Sequence, residues 1–282
     1  MVNRMIKTII YCASGYAERV LFSLDETKYD VIALIDSNPE TWGQTLYGLE
    51  VISPNEIVGL DYDLVIISLS EYAKEISDDL IKKYDVDKTK IITYLAQEHG
   101  ICWQEERIIV LRKVISLLKE RHIRGNMAEV GVYRGDFAKL FNRYFPDKKL
   151  YLFDTFSGFD EERDLVSEND KKNFKDTSID IVMEKMKSHE NCIIKKGYFP
   201  DTAQDVEDEF CLVSLDCDMY NPILAGLEYF YPRLVQGGWI FVHDFGSYHY
   251  KGVRKAVYEY CTKNNIPFFP MVDRGLSVVI SK

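Results

Sequence analysis

The stretch from Phe210 to Phe245 limits the folds open to this chain more than any other part of its sequence. Its two ends, FCLVSLD and WIFVHDF, are almost continuous apolar runs. Such runs are typical of strands that are covered on both faces of a parallel sheet. Between them, LAGLEYFYPRL carries apolar residues at helical spacing, and Gly237-Gly238 ends that pattern. The stretch therefore predicts a strand, a helix and a second buried strand of an α/β fold.

Acidic side chains and one imidazole follow the two predicted strands. Asp216 and Asp218 come after the first strand, and His243 and Asp244 come at the end of the second. Because ligands bind outside the carboxyl ends of the strands in open α/β sheets, we expect these four residues to form a site. They could hold a hard divalent cation such as Mg²⁺, and one carboxylate could accept a proton from a substrate hydroxyl. The alternative is that one or two of the acids cap the helices that follow.

A second strand-and-turn pattern lies earlier in the chain. AEVGV predicts a strand that delivers Glu129, and the turn after it contains Gly131, Tyr133 and Gly135. The next predicted strand, KKLYLFDTF, ends in Asp154, whose carboxylate can accept both hydroxyls of a ribose. A hydride-transfer cofactor would need the dense glycine loop that cradles phosphates. One acid per strand end with a looser turn suits S-adenosylmethionine, although Asp154 could instead be a cap or turn acid.

The chain has room for two domains of this kind. We predict an α/β protein with two Rossmann-like domains, residues 1–98 and 101–282, in a chain of 282 residues. The second domain shows about seven strand patterns with an antiparallel finish, IPFFPM and LSVVIS, which indicates the sheet of a class I methyltransferase.

The first domain is predicted to have four strands and a degenerate nucleotide loop. Cys12, Ser14 and Ala17 stand where a dinucleotide-binding loop would have glycines, and Asp36 follows the second strand at the place of a ribose-binding acid. The segment LIDSNPETWGQTLYGLEVISPNEI resembles the nucleotide-binding-like modules found ahead of sugar-modifying transferases. Two interpretations stay open for this domain: retained nucleotide binding, and a structural or dimerising role.

The second domain carries an ordered set of motifs that resembles a known family. AEVGVYRGDFAKL, LFDTFSGFD, GYFPDT, the stretch from 212 to 245 and GVRKAVYEY resemble the macrocin O-methyltransferase (TylF-type) family over about residues 100–282. Members of this family use S-adenosylmethionine and Mg²⁺ and methylate sugar hydroxyls in antibiotic biosynthesis. The resemblance implies that Glu129, Gly131 and Asp154 line the methionine and ribose part of the donor site.

The resemblance also assigns roles to residues on later strands. Tyr198 and Asp201 of GYFPDT are expected near the adenine, Asp216 is expected to ligate the metal, and Asp218 is expected to act as the general base. The family usually has two adjacent acids where this chain has His243 and Asp244. Imidazole is a poorer ligand for Mg²⁺ than carboxylate and a better one for Mn²⁺, Zn²⁺ or Fe²⁺. We therefore expect a Mg²⁺ or Mn²⁺ site made by Asp216, His243 and Asp244, or a metal-free site in which His243 is the base.

A long polar segment, SGFDEERDLVSENDKKNFKDTSID, follows Asp154 without clear periodicity. It could be a solvated surface loop. It could equally be a lid, since loops of this length in compact domains are often functional.

Composition narrows the possible partners and the location. The net charge is -10 and no long basic patch is present, so non-specific binding of nucleic acid is not expected. The six cysteines form no CxxC pair, and no apolar run approaches the roughly 18 residues of a membrane helix. We therefore expect a cytoplasmic protein with reduced thiols. The family resemblance implies a small, sugar-containing substrate. Assembly into a homo-oligomer is left open.

Together these patterns predict an S-adenosylmethionine-dependent O-methyltransferase that acts on a hydroxyl of a sugar or glycosylated metabolite with the help of a divalent metal. One alternative is methyl transfer to a non-sugar hydroxyl, for instance on a catechol-like ring. Another is a binding protein whose methyltransferase fold has lost its chemistry.

Overall fold

The computed structural model describes residues 4–13, 15–69, 72–94, 105–164, 166–273 and 275–282. The chain divides into two compact units, Met1–Lys113 and Val114–Lys282. The boundary expected from the sequence, between residues 98 and 101, lies outside the described residues and stays a prediction. Among the helices of the described part of the chain, none is long and apolar enough to cross a membrane.

The first unit is built on a mostly parallel sheet of six strands. Their order is β3-β4-β2-β1-β5-β6, and only the β3–β4 pair is antiparallel. The strands are β1 (Ile6–Tyr11), β2 (Tyr29–Ile35), β3 (Thr45–Leu46), β4 (Leu49–Ile52), β5 (Leu64–Ile67) and β6 (Ile91–Thr93), and the helices of this unit are α1 (Gly15–Ser23) and α2 (Ala73–Tyr84).

Burial on both faces explains why most residues in the strands of this unit are apolar. Ile9 packs into one core cluster and Ile10 into another, and neither is exposed to solvent. Successive residues of a strand point to opposite faces, so each face receives every second side chain. The four strands expected here are present. The short β3–β4 hairpin was not predicted, because its turn is Tyr47-Gly48 rather than the usual Asn-Gly or Asp-Gly.

The second unit contains a sheet of seven strands in the order β12-β13-β11-β10-β7-β8-β9. Strands β7 to β11 run parallel, whereas β13 is antiparallel to β11 and to β12. The seven-stranded sheet and its antiparallel finish are thus confirmed. The strands are β7 (Asn126–Val130), β8 (Leu150–Asp154), β9 (Cys192–Lys196), β10 (Phe210–Leu215), β11 (Leu234–Val242), β12 (Phe269–Pro270) and β13 (Val278–Ser281). The remaining helices are α3 (Glu106–Glu120, which begins in the first unit), α4 (Ala138–Tyr144), α5 (Ile179–Met183), α6 (Tyr220–Arg233) and α7 (Lys251–Asn264).

Helix α6 is fixed on the sheet by aromatic packing. Phe230 is fully buried, and its ring centroid lies 4.9 Å from that of Phe210 and 5.7 Å from that of Phe199. Burial of one such side chain stabilises a fold by roughly 1.5–3 kcal/mol. Because Phe210 begins β10, this packing also fixes the strand whose other end carries Asp216.

The strand order reverses between β7 and β10. The chain runs outward from β7 through β8 to β9 and then crosses back to place β10 on the other side of β7. Gly131 lies at this switch point with a φ of +83°. The backbone N–H of Asp216 donates to the carbonyl of Val130 at 2.8 Å, and a Cβ at position 131 would lie 2.1 Å from the carbonyl oxygen of Asp216. Only glycine allows the two backbones to approach this closely.

We expect Gly131→Ala to lower the free energy of unfolding of the second unit by much more than the cost of placing an alanine at a left-handed φ. Gly48 is a matched control, because its φ is +79° and a Cβ there would meet nothing within 4 Å. Gly48→Ala should cost about 1–2 kcal/mol through its left-handed backbone. Gly131→Ala must in addition displace the backbone at Asp216. Native-state hydrogen exchange measures each loss in its own unit, at the amides of β7 and β10 for Gly131→Ala and at those of β2 and β4 for Gly48→Ala. Equal losses in the two variants would contradict the expectation.

Candidate functional site

Three of the predicted site residues converge at the carboxyl ends of β10 and β11. The Nδ1 atom of His243 lies 3.0 Å from a carboxylate oxygen of Asp216 and 2.9 Å from one of Asp244. The possible ligand atoms of the three residues all lie within 4.8 Å of one another. Their side chains are 19–25% exposed, so the group is partly shielded yet open to a ligand. We refer to Asp216, Asp218, His243 and Asp244 as the strand-end cluster.

Unusual backbone conformations aim the acids of the strand-end cluster. Asp218 and Asp244 have φ values of +61° and +57°, in the left-handed region that aspartate enters more readily than most residues. The N–H of His243 still donates to the carbonyl of Leu215 at 3.0 Å, which continues the sheet ladder to the site. The four residues of the strand-end cluster thus lie within three residues of the ends of β10 and β11.

Asp218 is the buried member of the strand-end cluster. It is 8% exposed and shares a side-chain hydrogen bond with Asp244. Burial raises the pKa of Asp218 well above its ordinary value, and the charges of Asp216 and Asp244 raise it further. Burial, with the neighbouring charges of Asp218 and Asp216, also raises the pKa of the Cys217 thiol. A thiolate nucleophile at Cys217 is therefore disfavoured.

The donor atoms of the strand-end cluster fit a divalent cation. When two ligand atoms bind a cation at about 2.0–2.2 Å and subtend a right angle at it, they lie roughly 3 Å from each other. The two distances from Nδ1 of His243, 3.0 and 2.9 Å, have this value. An imidazole N–H that donates to two carboxylates also places its nitrogen about 3 Å from each accepting oxygen. The arrangement therefore suits both versions of the site predicted from the sequence.

Asp154 braces the loops at the ends of β7 and β8. Its carboxylate accepts hydrogen bonds from the backbone N–H of Tyr133 at 2.8 Å and from that of Phe156 at 2.6 Å. Burial raises the pKa of Asp154, and these backbone hydrogen bonds oppose the rise. Each carboxylate oxygen can accept a second hydrogen bond, so the predicted contact with a ribose stays compatible with this brace. Glu129 lies in β7 and is 1% exposed.

The other residues of the glycine turn make contacts within the protein. Tyr133 has a φ of +49°, and its hydroxyl donates to Asp176 at 2.7 Å. Gly135 has a φ of +76°, and a Cβ there would lie 3.1 Å from the side chain of Val182 in α5. Gly135 thus has a packing role in this structure. The predicted contact of both residues with the donor stays a prediction.

Tyr198 and Asp201, expected near the adenine, contact the long polar segment after β8. We refer to residues 157–164 and 166–178 as the lid segment. The Tyr198 hydroxyl donates to Asp164 at 2.9 Å, and Arg163 forms an ion pair with Asp201. The guanidinium of Arg163 also lies 4.7 Å from the centre of the Tyr198 ring. The segment therefore lies over the end of β9.

The opposite part of the lid segment contacts the loop after β11. His249 Nε2 lies 2.8 Å from the carboxylate of Asp170, and the rings of Phe159 and Tyr250 are 6.3 Å apart. Burial raises the pKa of Tyr250 to about 12, with a further contribution from the charge of Asp218. Sequence reasoning missed Asp170, His249 and Tyr250, because no periodicity or motif distinguishes them.

These contacts show that the lid segment is not simply a solvated loop. Asp164 and Asp170 are 7% and 6% exposed, and the rings of Phe159 and Phe174 pack 5.3 Å apart. Of the two interpretations that the sequence left open, a fully solvated surface loop is therefore disfavoured. Its opening and closing around ligands stays a prediction.

In the first unit, Asp36 makes the same kind of brace as Asp154. Its carboxylate accepts the N–H of Ala13 at 2.8 Å and the N–H of Asn38 at 2.8 Å. Burial raises the pKa of Cys12 to about 12, with Asp36 adding to the rise. Ser14 of the degenerate loop lies outside the described residues, and nucleotide binding by this unit stays a prediction.

The sheet order and the acids at its carboxyl edge define a protein with the class I methyltransferase fold. The family model of macrocin-O-methyltransferase (TylF) matches residues 99–274. Because this match covers more than half of the chain, the chain belongs to the macrocin O-methyltransferase (TylF) family, as the motifs indicated. A second family model, described as C2185-like, N-terminal, matches residues 4–92.

Solved structures with the same fold include two methyltransferases. The O-methyltransferase NovP is 21% identical, over 62% of this chain and 79% of its own, with a TM-score of 0.53. CalS11, a calicheamicin methyltransferase, is 16% identical, over 75% of this chain and 91% of its own, with a TM-score of 0.50. At these identities the likeness supports the fold alone, and it confirms the predicted fold class. Comparison with curated protein sequences gives no significant match.

We expect Asp154→Ala to weaken binding of S-adenosylhomocysteine about tenfold or more, because the charge-assisted contact predicted between its carboxylate and the ribose would be lost. Calorimetry measures the dissociation constant. Asp147→Ala is the matched control, since Asp147 is exposed just before the amino end of the same strand. Asp154→Asn keeps one acceptor oxygen for the loop brace and separates local folding from ligand contact. An unchanged dissociation constant in both Asp154 variants would refute the assignment.

Proposed function

We propose that this chain is an S-adenosylmethionine-dependent O-methyltransferase whose acceptor is a hydroxyl of a sugar or glycosylated metabolite, assisted by a divalent cation. The convergence of the strand-end cluster next to the switch point of the sheet carries this proposal. Membership of the macrocin O-methyltransferase family supports the reaction. The names of NovP, an O-methyltransferase, and CalS11, a calicheamicin methyltransferase, agree with it.

On the donor side, the edge formed by β7, β8 and β9 binds the cofactor. S-adenosylmethionine supplies an electrophilic methyl group on a positively charged sulfur. Asp154 accepts hydrogen bonds from the ribose hydroxyls. Glu129 and Gly131 line the methionine part of the cofactor, and Tyr198 and Asp201 lie near its adenine. No residue is needed to neutralise phosphate, which agrees with a turn that lacks a dense glycine loop.

On the acceptor side, Asp218 accepts the proton of the attacking hydroxyl. Asp216, His243 and Asp244 would hold the cation, whose charge lowers the pKa of a hydroxyl bound to it. Asp218 is buried beside these three residues, so a hydroxyl held at the cluster lies within its reach. Holding acceptor and donor close together in the correct orientation supplies much of the rate enhancement.

The lid segment keeps water from the transferring methyl group. It contacts Tyr198 on the donor side and His249 on the acceptor side, and Asn221 at the start of α6 donates to the Arg163 carbonyl at 2.8 Å. A segment tied to both sides covers the space between the two substrates. Exclusion of water strengthens the electrostatic interactions that act on them.

We propose a cytoplasmic location and a small-molecule partner, with no nucleic-acid or membrane partner, and we leave assembly into a homo-oligomer open.

Turnover over a panel of acceptors tests the proposal. The panel contains nucleotide-linked sugars, free sugars, glycosides and a catechol, with S-adenosylmethionine as donor. We expect methylation of a sugar hydroxyl, and we expect Asp218→Asn to slow it about 10²–10⁴-fold while the affinity for S-adenosylhomocysteine is unchanged. Asp147→Asn is the control. Methylation of the catechol alone would contradict the acceptor class, and donor binding without any turnover would indicate an inactive fold.

Removal of metal separates the two versions of the strand-end cluster. In the metal-dependent version, which we favour, chelation abolishes turnover and Mn²⁺ restores it at least as well as Mg²⁺, because one ligand is nitrogen. In the metal-free version, chelation has no effect, and His243→Asn removes the limb of the pH–rate profile that reports deprotonation of the base. Full activity of Asp216→Asn in excess chelator would exclude the metal-dependent version.

A further inference from the structure

The loop between β12 and β13 lies directly against the imidazole of His243. A Cβ built on Gly275 would lie 1.9 Å from Nε2, 2.5 Å from Cδ2 and 2.8 Å from Cε1 of that ring. These are the three nearest heavy atoms, and all belong to His243. The backbone at Gly275 therefore covers the edge of the ring that faces away from the two carboxylates.

Hydrogen bonds hold this loop in place. Asp273 is 6% exposed, and its carboxylate accepts the N–H of Ser277 at 2.6 Å and the Ser277 hydroxyl at 2.7 Å. The loop is also joined to the segment after β11, because the N–H of Asp244 donates to the Gly275 carbonyl at 3.2 Å. A further backbone bond of 2.9 Å runs from Gly246 to Leu276. The brace against the ring is thus attached to the same segment that carries His243.

The backbone conformation does not require glycine at this position. Gly275 is not among the glycines whose φ lies in the left-handed region, in contrast to Gly131. An alanine is compatible with its φ, and the obstacle that it meets is the ring of His243. Glycine at position 275 is therefore explained by its contact with a side chain of the site.

We propose that Gly275 is a positioning residue that holds the Nδ1 atom of His243 between Asp216 and Asp244. The ring is confined between the loop on one edge and the carboxylates on the other. Ordinary contacts of a Cβ begin at about 3.4 Å, so an alanine would push the ring by more than an ångström. Ligand geometry tolerates only about 0.5 Å. The consequence for metal binding rests on the proposed function. The effect of Gly275 on the position of the His243 ring does not.

The first arm of the test uses metal-free protein. We expect Gly275→Ala to shift the ring-nitrogen NMR signals of His243 and to lower the thermal midpoint, and we expect no further loss when the same change is made in a His243→Ala background. That background removes the clashing ring, so the double variant folds even where Gly275→Ala does not. Gly59→Ala is the matched control, because Gly59 also lacks a left-handed φ and a Cβ there meets nothing within 4 Å. An equal loss in both backgrounds would overturn the proposal.

The second arm uses Mn²⁺ alone as the probe. In the wild type, pulsed electron paramagnetic resonance should detect a directly bonded imidazole nitrogen. Gly275→Ala should lose that coupling and bind Mn²⁺ at least tenfold more weakly, with unchanged affinity for S-adenosylhomocysteine. Retained coupling in the variant would overturn the proposal. If the wild type binds no Mn²⁺, the metal-dependent function fails, and the first arm still decides whether Gly275 positions the ring.

Discussion

Repulsion among carboxylates at one sheet edge is the constraint on which the rest of the second unit depends. Strands β10 and β11 are parallel neighbours, so Asp216, Asp218 and Asp244 cannot separate without breaking the sheet. Three like charges in a partly buried place require compensation by a proton or a cation. The raised pKa of Asp218 reflects this repulsion together with burial, and the imidazole of His243 between Asp216 and Asp244 is a source of compensating positive charge. The fold thereby creates an affinity for positive charge at the carboxyl ends of β10 and β11.

The lid segment connects the two sides of this edge by polar contacts. Its acids accept hydrogen bonds from Tyr198 at the end of β9 and from His249 after β11, and its phenylalanines pack with Tyr133 and Tyr250. Polar contacts of this kind can exchange for contacts with water or ligand at small net free energy. A segment held in this way can therefore rearrange at a lower free-energy cost than the buried strands of the sheet.

The two units share one hydrogen bond that fixes the turn after their first strand. In each, an acid at the end of the second strand accepts a backbone N–H from the turn after the first strand: Asp36 from Ala13, and Asp154 from Tyr133. Such a bond fixes a turn that lacks the dense glycine loop of dinucleotide-binding proteins. An acid in this position therefore has a structural task in addition to any contact with a ribose, and the sequence pattern alone cannot distinguish the two tasks.

The sequence by itself determined the class of the fold and the place of the site. Continuous apolar strands require a sheet covered on both faces, and acids at the strand ends then meet at one edge, as Asp216, His243 and Asp244 do. Tertiary structure alone decided the rest. Asp170 and His249 are 79 residues apart, and Gly275 meets His243 across a loop whose sequence shows no motif. These contacts depend on the path of irregular loops, which no periodicity encodes, because their backbones are held by individual hydrogen bonds rather than by a repeating pattern.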